Sequence, residues 1–211
     1  MNVLVIGSGG REHAICYSFS KSTRVVKLFC APGNAGISSI AECVPIKAED
    51  VSELAKFASA NSIDLTFVGG ETSLALGIVD EFERRGLKIV GPTRAAALLE
   101  ASKSFAKDFM ERHHVPSAHF RTASSTGDAI EILESGYFGD EKEPVVVKAD
   151  GLAAGKGVVV ARDRVEATDA VKAMADLVGA DAAASIVLEQ CLVGREVSLL
   201  AFCDGEHFAL M

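Results

Sequence analysis

Long apolar runs are missing from this sequence: nothing approaches the roughly 20 residues that a membrane-spanning helix needs. A surplus of positive charge is missing too. The 21 lysines and arginines are outnumbered by 29 aspartates and glutamates, and a net charge of −8 offers nucleic-acid phosphates no basic surface. No basic segment precedes the first apolar run, so MNVLVIGSGG reads as a β-strand entering a turn rather than a secretory signal. No C-x-x-C occurs: Cys16, Cys30, Cys43, Cys191 and Cys203 are odd in number and widely spaced. They read as buried free thiols of a reducing cytoplasm and argue against a zinc site. The adjacent His113 and His114 cannot both face one metal from a helix. No Ser-His-Asp or Cys-His arrangement is evident, and there is no repeat, linker or low-complexity stretch.

What is present is core material. Hydrophobic residues make up 49% of the 211, with a mean hydropathy of +0.27, which suits one large or two small domains. Over the first hundred or so residues, apolar runs at 3–6, 25–30, 65–68 and 87–90 alternate with helical patterns, one of them at 51–60. Asp50 is placed to cap that helix, with Glu53 completing a capping-box-like pair. Strand and helix repeated in this way predict a doubly wound α/β domain whose parallel sheet is buried on both faces. After Gly91-Pro92-Thr93 the pattern changes. Helices are expected at 94–100 and 102–113, a short strand near 118–121 and a helix at 128–134. Strands at 145–148 and 158–160 flank a glycine-rich loop, and a helix at 165–178 and a strand at 186–189 complete an α+β unit. A last hairpin is expected from 197–202 and 207–211.

Two glycine-rich loops carry the chemistry. The first, Gly7-Ser8-Gly9-Gly10-Arg11-Glu12-His13, sits where a first strand meets a first helix, a place where backbone N–H groups can meet a phosphate. As a dinucleotide fingerprint G-x-G-x-x-G it fails, because Glu12 stands at the third glycine. The second strand also ends Phe29-Cys30-Ala31-Pro32 without the acid that would hold a ribose. Arg11 is either a solvated first-turn residue or, beside three glycines, an anion contact. The second loop runs from Lys148 through Asp150, Gly151, Gly155 and Lys156 to Gly157. It lacks the spacing and the hydroxyl of a Walker A loop, and a strand follows it. Small residues let such a loop lie over phosphates, with Lys148 and Lys156 supplying charge. The plainer alternative is a flexible hairpin with solvent-facing lysines, and the later Glu189-Gln190-Cys191-Leu192 segment weighs against it.

In this order, GSGGREHA (7–14), APGNAG (31–36), GPT (91–93), SKSFAKDFM (102–110) and VVKADGLAAGKGV (146–158) make the chain resemble the glycinamide ribonucleotide synthetase family over its whole length. The resemblance implies a Rossmann-like preATP-grasp domain at 1–100 and a connecting segment at 101–122. An ATP-grasp lid subdomain at 123–190 and the start of a central ATP-grasp sheet at 191–211 would follow, making the ATP-grasp part an incomplete α+β fold. It implies ATP-dependent ligation of glycine to 5-phosphoribosylamine through a glycyl phosphate, giving glycinamide ribonucleotide, ADP and phosphate for purine biosynthesis. ATP is then a substrate, with magnesium, which manganese can replace, as its metal.

By the same resemblance, Lys103 and Lys148 match the two lysines on the ATP phosphates, and the loop with Gly151, Gly155, Lys156 and Gly157 folds over them. Glu189, Gln190 and Leu192 match the hinge whose backbone reads adenine. Glu196 matches an acid on the ATP ribose, its alternative being a solvated strand-end acid. Gly9, Gly10, Arg11, Asn34, Gly36 and Glu71 face the phosphoribosylamine. The family's metal-binding Glu and Asn and its glycine-contacting segment are expected beyond residue 211, so no metal ligand is expected within the chain and an N-terminal fragment would be inactive alone. One loop departs from the pattern: the family's VGPE and a further proline are replaced by Val68-Gly69-Gly70-Glu71-Thr72-Ser73, and Gly70 and Ser73 should loosen it. The partners implied are small molecules, with no nucleic acid or membrane. Rival readings are another ATP-grasp carboxylate–amine ligase, an NAD-dependent oxidoreductase and a non-catalytic nucleotide-binding module.

Overall fold

The first apolar run becomes the centre of a sheet. In the computed structural model, which describes residues 1–151, 157–179 and 183–211, β1 (Asn2–Gly7) leads into α1 (Gly10–Ser20) and β2 (Lys27–Pro32). A 3-10 turn (Ile37–Ser39), β3 (Glu42–Cys43), α2 (Val51–Ala60), β4 (Leu65–Val68), α3 (Glu71–Ala75), α4 (Ile78–Arg84), β5 (Ile89–Val90) and α5 (Arg94–Ala101) follow. The strands lie in the order β3-β2-β1-β4-β5, every pair parallel. Alternation along β1 serves two cores. Leu4 and Ile6 pack with Phe29, Leu54 and Phe82, while Val3 and Val5 pack with Cys16, Cys30 and Ile37. Each such side chain taken wholly out of water contributes about 1.5–3 kcal/mol, which is why a continuous apolar run marks this strand.

Asp50 caps α2 as expected, accepting from the Glu53 amide at 3.2 Å. The return half of the capping box is not made. Lys56, one turn on, takes the Glu53 carboxylate at 2.6 Å instead. β3 was outside the sequence pattern: two residues paired at Phe29↔Glu42 and Cys30↔Cys43 are too short to show a period.

The second sheet is antiparallel. After α6 (Lys103–Arg112) come β6 (Phe120–Ala123), α7 (Thr126–Glu134), β7 (Val145–Ala149), β8 (Val158–Ala161), α8 (Arg164–Val178) and β9 (Ile186–Gln190), with strand order β6-β9-β7-β8. Ser102, Ser125 and Asp163 cap α6, α7 and α8, each accepting from a first-turn amide. Val145, Val147, Ala149, Ile186 and Leu188 pack against Ala129 and Leu133 of α7 and Val171 and Met174 of α8. Because side chains alternate, Lys148 and Glu189 fall on the other face. β6 begins later than expected because the Ala118 carbonyl accepts from the Lys107 side chain while the ladder with β9 starts at Phe120↔Glu189.

β10 (Ala201–Cys203) and β11 (Phe208–Leu210) form a short hairpin. The strand expected at 197–200 does not form, since no described strand faces it beyond the Met211 amide on the Leu200 carbonyl. All five thiols are free, but only Cys16 and Cys30 are buried; Cys203 lies on the exposed hairpin, where apolar sequence neighbours did not become core. Among the described residues no helix is long and apolar enough to cross a membrane.

Candidate functional site

Two loop clusters hold the expected residues. The first lies at the carboxyl ends of β1, β2 and β4, where strand order reverses about β1 and doubly wound folds bind ligands. Asn34 Nδ2 donates to the Ser8 carbonyl at 2.8 Å, and its Oδ1 accepts from the Ile37 amide at 2.9 Å. Gly36 lies against His13, and a Cβ there would stand 2.7 Å from the imidazole. Arg11 Nη1 donates to the Gly69 carbonyl at 2.7 Å and lies 3.9 Å from Glu71. Its side chain is 68% exposed, so the guanidinium braces the loop and still faces solvent. Gly9, Gly10, Arg11, Asn34, Gly36 and Glu71 thus meet on one edge of the sheet.

Glu12, visible in the sequence only as a missing glycine, is the residue around which this edge is built. Its buried carboxylate accepts from the Gly9 amide at 2.6 Å, which is one half of a capping box; Gly9 has no side chain to make the other half. It fills the slot between β1 and β4. A Cβ on Gly7, whose φ is +130°, would stand 2.5 Å from Glu12 Cγ, and one on Gly69 would collide with the same side chain. The N-cap amide of α1, that of Gly9, is therefore served by the chain's own carboxylate at the helix end where a dinucleotide fold receives pyrophosphate. The loosening expected at Ser73 is also absent. Ser73 is buried, and its hydroxyl donates to the Ala48 carbonyl at 2.8 Å, tying down the loop that carries Glu71.

The second cluster lies on the face of the antiparallel sheet away from α7 and α8. Val146 faces Glu189 across the β7–β9 ladder, so Lys148, two residues on, is its diagonal neighbour. Lys148 Nζ stands 2.8 Å from Glu189 Oε1, and Lys107 Nζ stands 2.9 Å from Oε2. Lys107 lies within the SKSFAKDFM segment, where the resemblance gives it no role, and it is buried. Its spacing from Lys103 was the available signal, because residues four apart share a helix face. Lys103 Nζ, one turn earlier on α6, donates to the Gly151 carbonyl at 3.2 Å.

Asp150 fastens the loop's entrance to α6. Its carboxylate accepts from the Ser104 amide at 2.8 Å, the Ser104 hydroxyl at 2.5 Å and the Ser102 hydroxyl at 3.2 Å. An anion is favoured at a helix N-terminus, and this one holds Lys103 beside the loop. Asp150 is the second residue that the motif reading leaves without a role. At the loop's far end the Gly157 carbonyl accepts from the Ala149 amide at 2.8 Å. Gly155 and Lys156, and with them the expected cover, lie outside the described residues.

Gln190 extends β9, its amide on the His119 carbonyl at 2.8 Å. A cleft of about 510 Å³ opens beside it, between His119, Tyr137 and Asp140, and Lys103, Lys107 and Lys148 do not line it. Leu192 and Glu196 are exposed. Glu196 was expected to begin a strand, but it stands ahead of the β10 hairpin and outside any ladder, with no ion pair among the described residues. Also among the described residues, no three His, Cys, Asp or Glu side chains stand together as a metal site.

A doubly wound parallel unit joined to an antiparallel sheet, with lysines gathered at a glycine-rich hairpin, defines an ATP-grasp protein. Residues 1–100 match the family described as phosphoribosylglycinamide synthetase, N domain, and residues 101–211 match phosphoribosylglycinamide synthetase, ATP-grasp (A) domain. The chain belongs to this phosphoribosylglycinamide synthetase family. A phosphoribosylamine–glycine ligase of Caldanaerobacter subterraneus subsp. tengcongensis is 47% identical over 212 residues, covering 100% of this chain and 50% of the relative. One from Halalkalibacterium halodurans is 46% identical, covering 98% of this chain and 47% of the relative. The crystal structure of phosphoribosylamine–glycine ligase from Thermotoga maritima aligns with a TM-score of 0.77 at 28% identity, over 100% of this chain and 49% of that one. The chain spans about half the length of the curated relatives it matches.

Proposed function

We propose that this chain contributes the ATP phosphate site and part of the sugar-phosphate site of an enzyme that joins glycine to 5-phosphoribosylamine. ATP activates glycine as glycyl phosphate, and the amine of phosphoribosylamine displaces the phosphate to give glycinamide ribonucleotide. The observation that carries this reading is the meeting of Lys103, Lys148 and the two feet of the glycine-rich loop, Gly151 and Gly157, on one side of the second sheet. Phosphoryl transfer depends on charge neutralisation and positioning more than on a protein nucleophile. Lys103 and Lys148 meet the first need. Asp150, through α6, and Glu189, through β9, meet the second.

In this reading the backbone at Glu189, Gln190 and Leu192 takes the adenine edge and Glu196 the ribose. The loop with Gly155 and Lys156 closes over the phosphates and keeps water from the acyl phosphate. Gly9, Gly10, Arg11, Asn34, Gly36 and Glu71 receive the phosphoribosylamine. The working units are residues 1–100, 101–122, 123–190 and 191–211, and the compartment is the cytoplasm, in keeping with five free thiols. Magnesium accompanies ATP in such chemistry, but the described residues offer it no three-ligand set, so no step is assigned to the metal here.

The test is ADP release by the full-length protein with glycine and freshly generated phosphoribosylamine. ADP should form only when both are present. Lys148→Ala should weaken ATP use about 10- to 150-fold, the worth of a charge-assisted phosphate contact, and more than Lys156→Ala does. An unimpaired Lys148→Ala enzyme would sink the assignment.

A further inference from the structure

The two lysines on Glu189 are not equivalent. Lys107 has three ammonium protons and three acceptors: Glu189 Oε2 at 2.9 Å, Ser117 Oγ at 2.6 Å and the Ala118 carbonyl at 3.4 Å. Its side chain is 9% exposed, and the ammonium lies 5.7 Å from the centre of the Phe120 ring. Lys148 has Glu189 as its one ion-pair partner among the described residues, and its side chain is 26% exposed. Among the described residues, one lysine is saturated and enclosed, and the other has donors to spare and is partly exposed.

We propose that Lys107 is a positioning residue that keeps Glu189 neutralised, so that Lys148 can turn from the carboxylate to a nucleotide's phosphates. The inference rests on the ATP site proposed above. A buried carboxylate stripped of its only cation is strongly disfavoured. With Lys148 as its sole partner, Glu189 would compete with every phosphate that approached. With Lys107 in place, the carboxylate keeps a cation when Lys148 leaves.

Calorimetric titration of the full-length protein with magnesium ATP, and separately with adenosine, tests this. The variants are Lys107→Met and the double variant Lys107→Met/Glu189→Gln, with Lys148→Ala as the reference. Lys107→Met should weaken ATP about tenfold or more, the scale of one charged hydrogen bond, and leave adenosine binding as it was, because adenosine brings no phosphate. In the double variant no carboxylate holds Lys148, and ATP affinity should exceed that of Lys148→Ala by about threefold or more, while staying below the parent's because Glu189 itself belongs to the proposed site. Thermal melting identifies variants that fail to fold. If Lys107→Met fails, the double variant, in which both charges are gone, decides alone.

A double variant as weak as Lys148→Ala overturns the proposal, as does equal loss of ATP and adenosine binding in Lys107→Met, which would mark a merely structural lysine. Parent-like ATP affinity in Lys107→Met overturns it as well. Absence of ATP binding by the parent, or a Lys148→Ala protein that binds ATP normally, would overturn the nucleotide site itself and the proposal with it.

Discussion

The two loop clusters use a buried glutamate in opposite ways. Glu12, at the mouth of the parallel sheet, is held by a backbone amide and by the absence of side chains on Gly7 and Gly69. Glu189, on the antiparallel sheet, is held by two side-chain ammonium groups from different elements. A carboxylate bonded to an amide of its own helix cannot be released without undoing that helix's start. A carboxylate shared by two lysines can let one go. The first arrangement makes a frame, and the second makes a counterion that can be exchanged. In the function proposed above, phosphoryl transfer asks for movable charge and recognition of a sugar phosphate for fixed shape, so the two clusters suit the two substrates proposed for them.

The contrast can be broken from either side. Glu189→Ala should have the largest effect on stability, since it leaves the buried Lys107 with no anion. The expected loss is about 3–5 kcal/mol, read by urea unfolding, and a loss below about 1 kcal/mol would show that the ammonium reaches water. Gly69→Ala should cost about 1–3 kcal/mol by forcing a methyl group into the Glu12 side chain. Adding Glu12→Ala to it should cost less than the two single changes together, because the clash disappears; simple additivity would contradict the slot described here. Asp150→Ala should lose about 0.5–2 kcal/mol, the range for a helix cap, and should raise the KM for ATP by displacing Lys103. A normal KM with lowered stability would reduce Asp150 to a cap alone.

The smallest effect concerns the thiols of the parallel unit. The hydrogen bond with the Cys16 thiol and then burial push the Cys30 thiol well above its ordinary pKa. Mass-spectrometric mapping after mild alkylation at pH 8 should find Cys203 modified and Cys30 intact until the protein is unfolded. Early labelling of Cys30 would mean that the core on the α1 side opens readily.

Much of the fold was legible because its determinants are local. The α2 boundaries follow from Asp50 and the apolar spacing of Leu54, Ala55 and Ala58, and the centre of the parallel sheet follows from the unbroken run Val3–Ile6. What the sequence hid is non-local. Lys107 looks like any solvated helix lysine until β9 brings Glu189 against it, and Asp150 looks like a loop acid until α6 places Ser102 and Ser104 on it. The strand expected at Glu196 failed for the same kind of reason: a β-pattern needs a partner, and no described strand lies opposite. Glu12 differs again. Comparison with a glycine fingerprint registers it as a mismatch, and only the surrounding glycines reveal its role.

That glutamate also bears on how folds of this kind can change their ligands. A dinucleotide binder and this chain differ at the third glycine of the fingerprint as well as at the end of the second strand, and the glycine looks like the simpler of the two changes. The geometry opposes that change. Replacing Glu12 with glycine would leave a hole between Gly7 and Gly69, an unanswered Gly9 amide and an exposed positive helix end, all before any new ligand was gained. The intermediate would be less stable than either end point. In this chain the crevice carries its own anion, so the N-cap amide of α1 is satisfied by the protein itself.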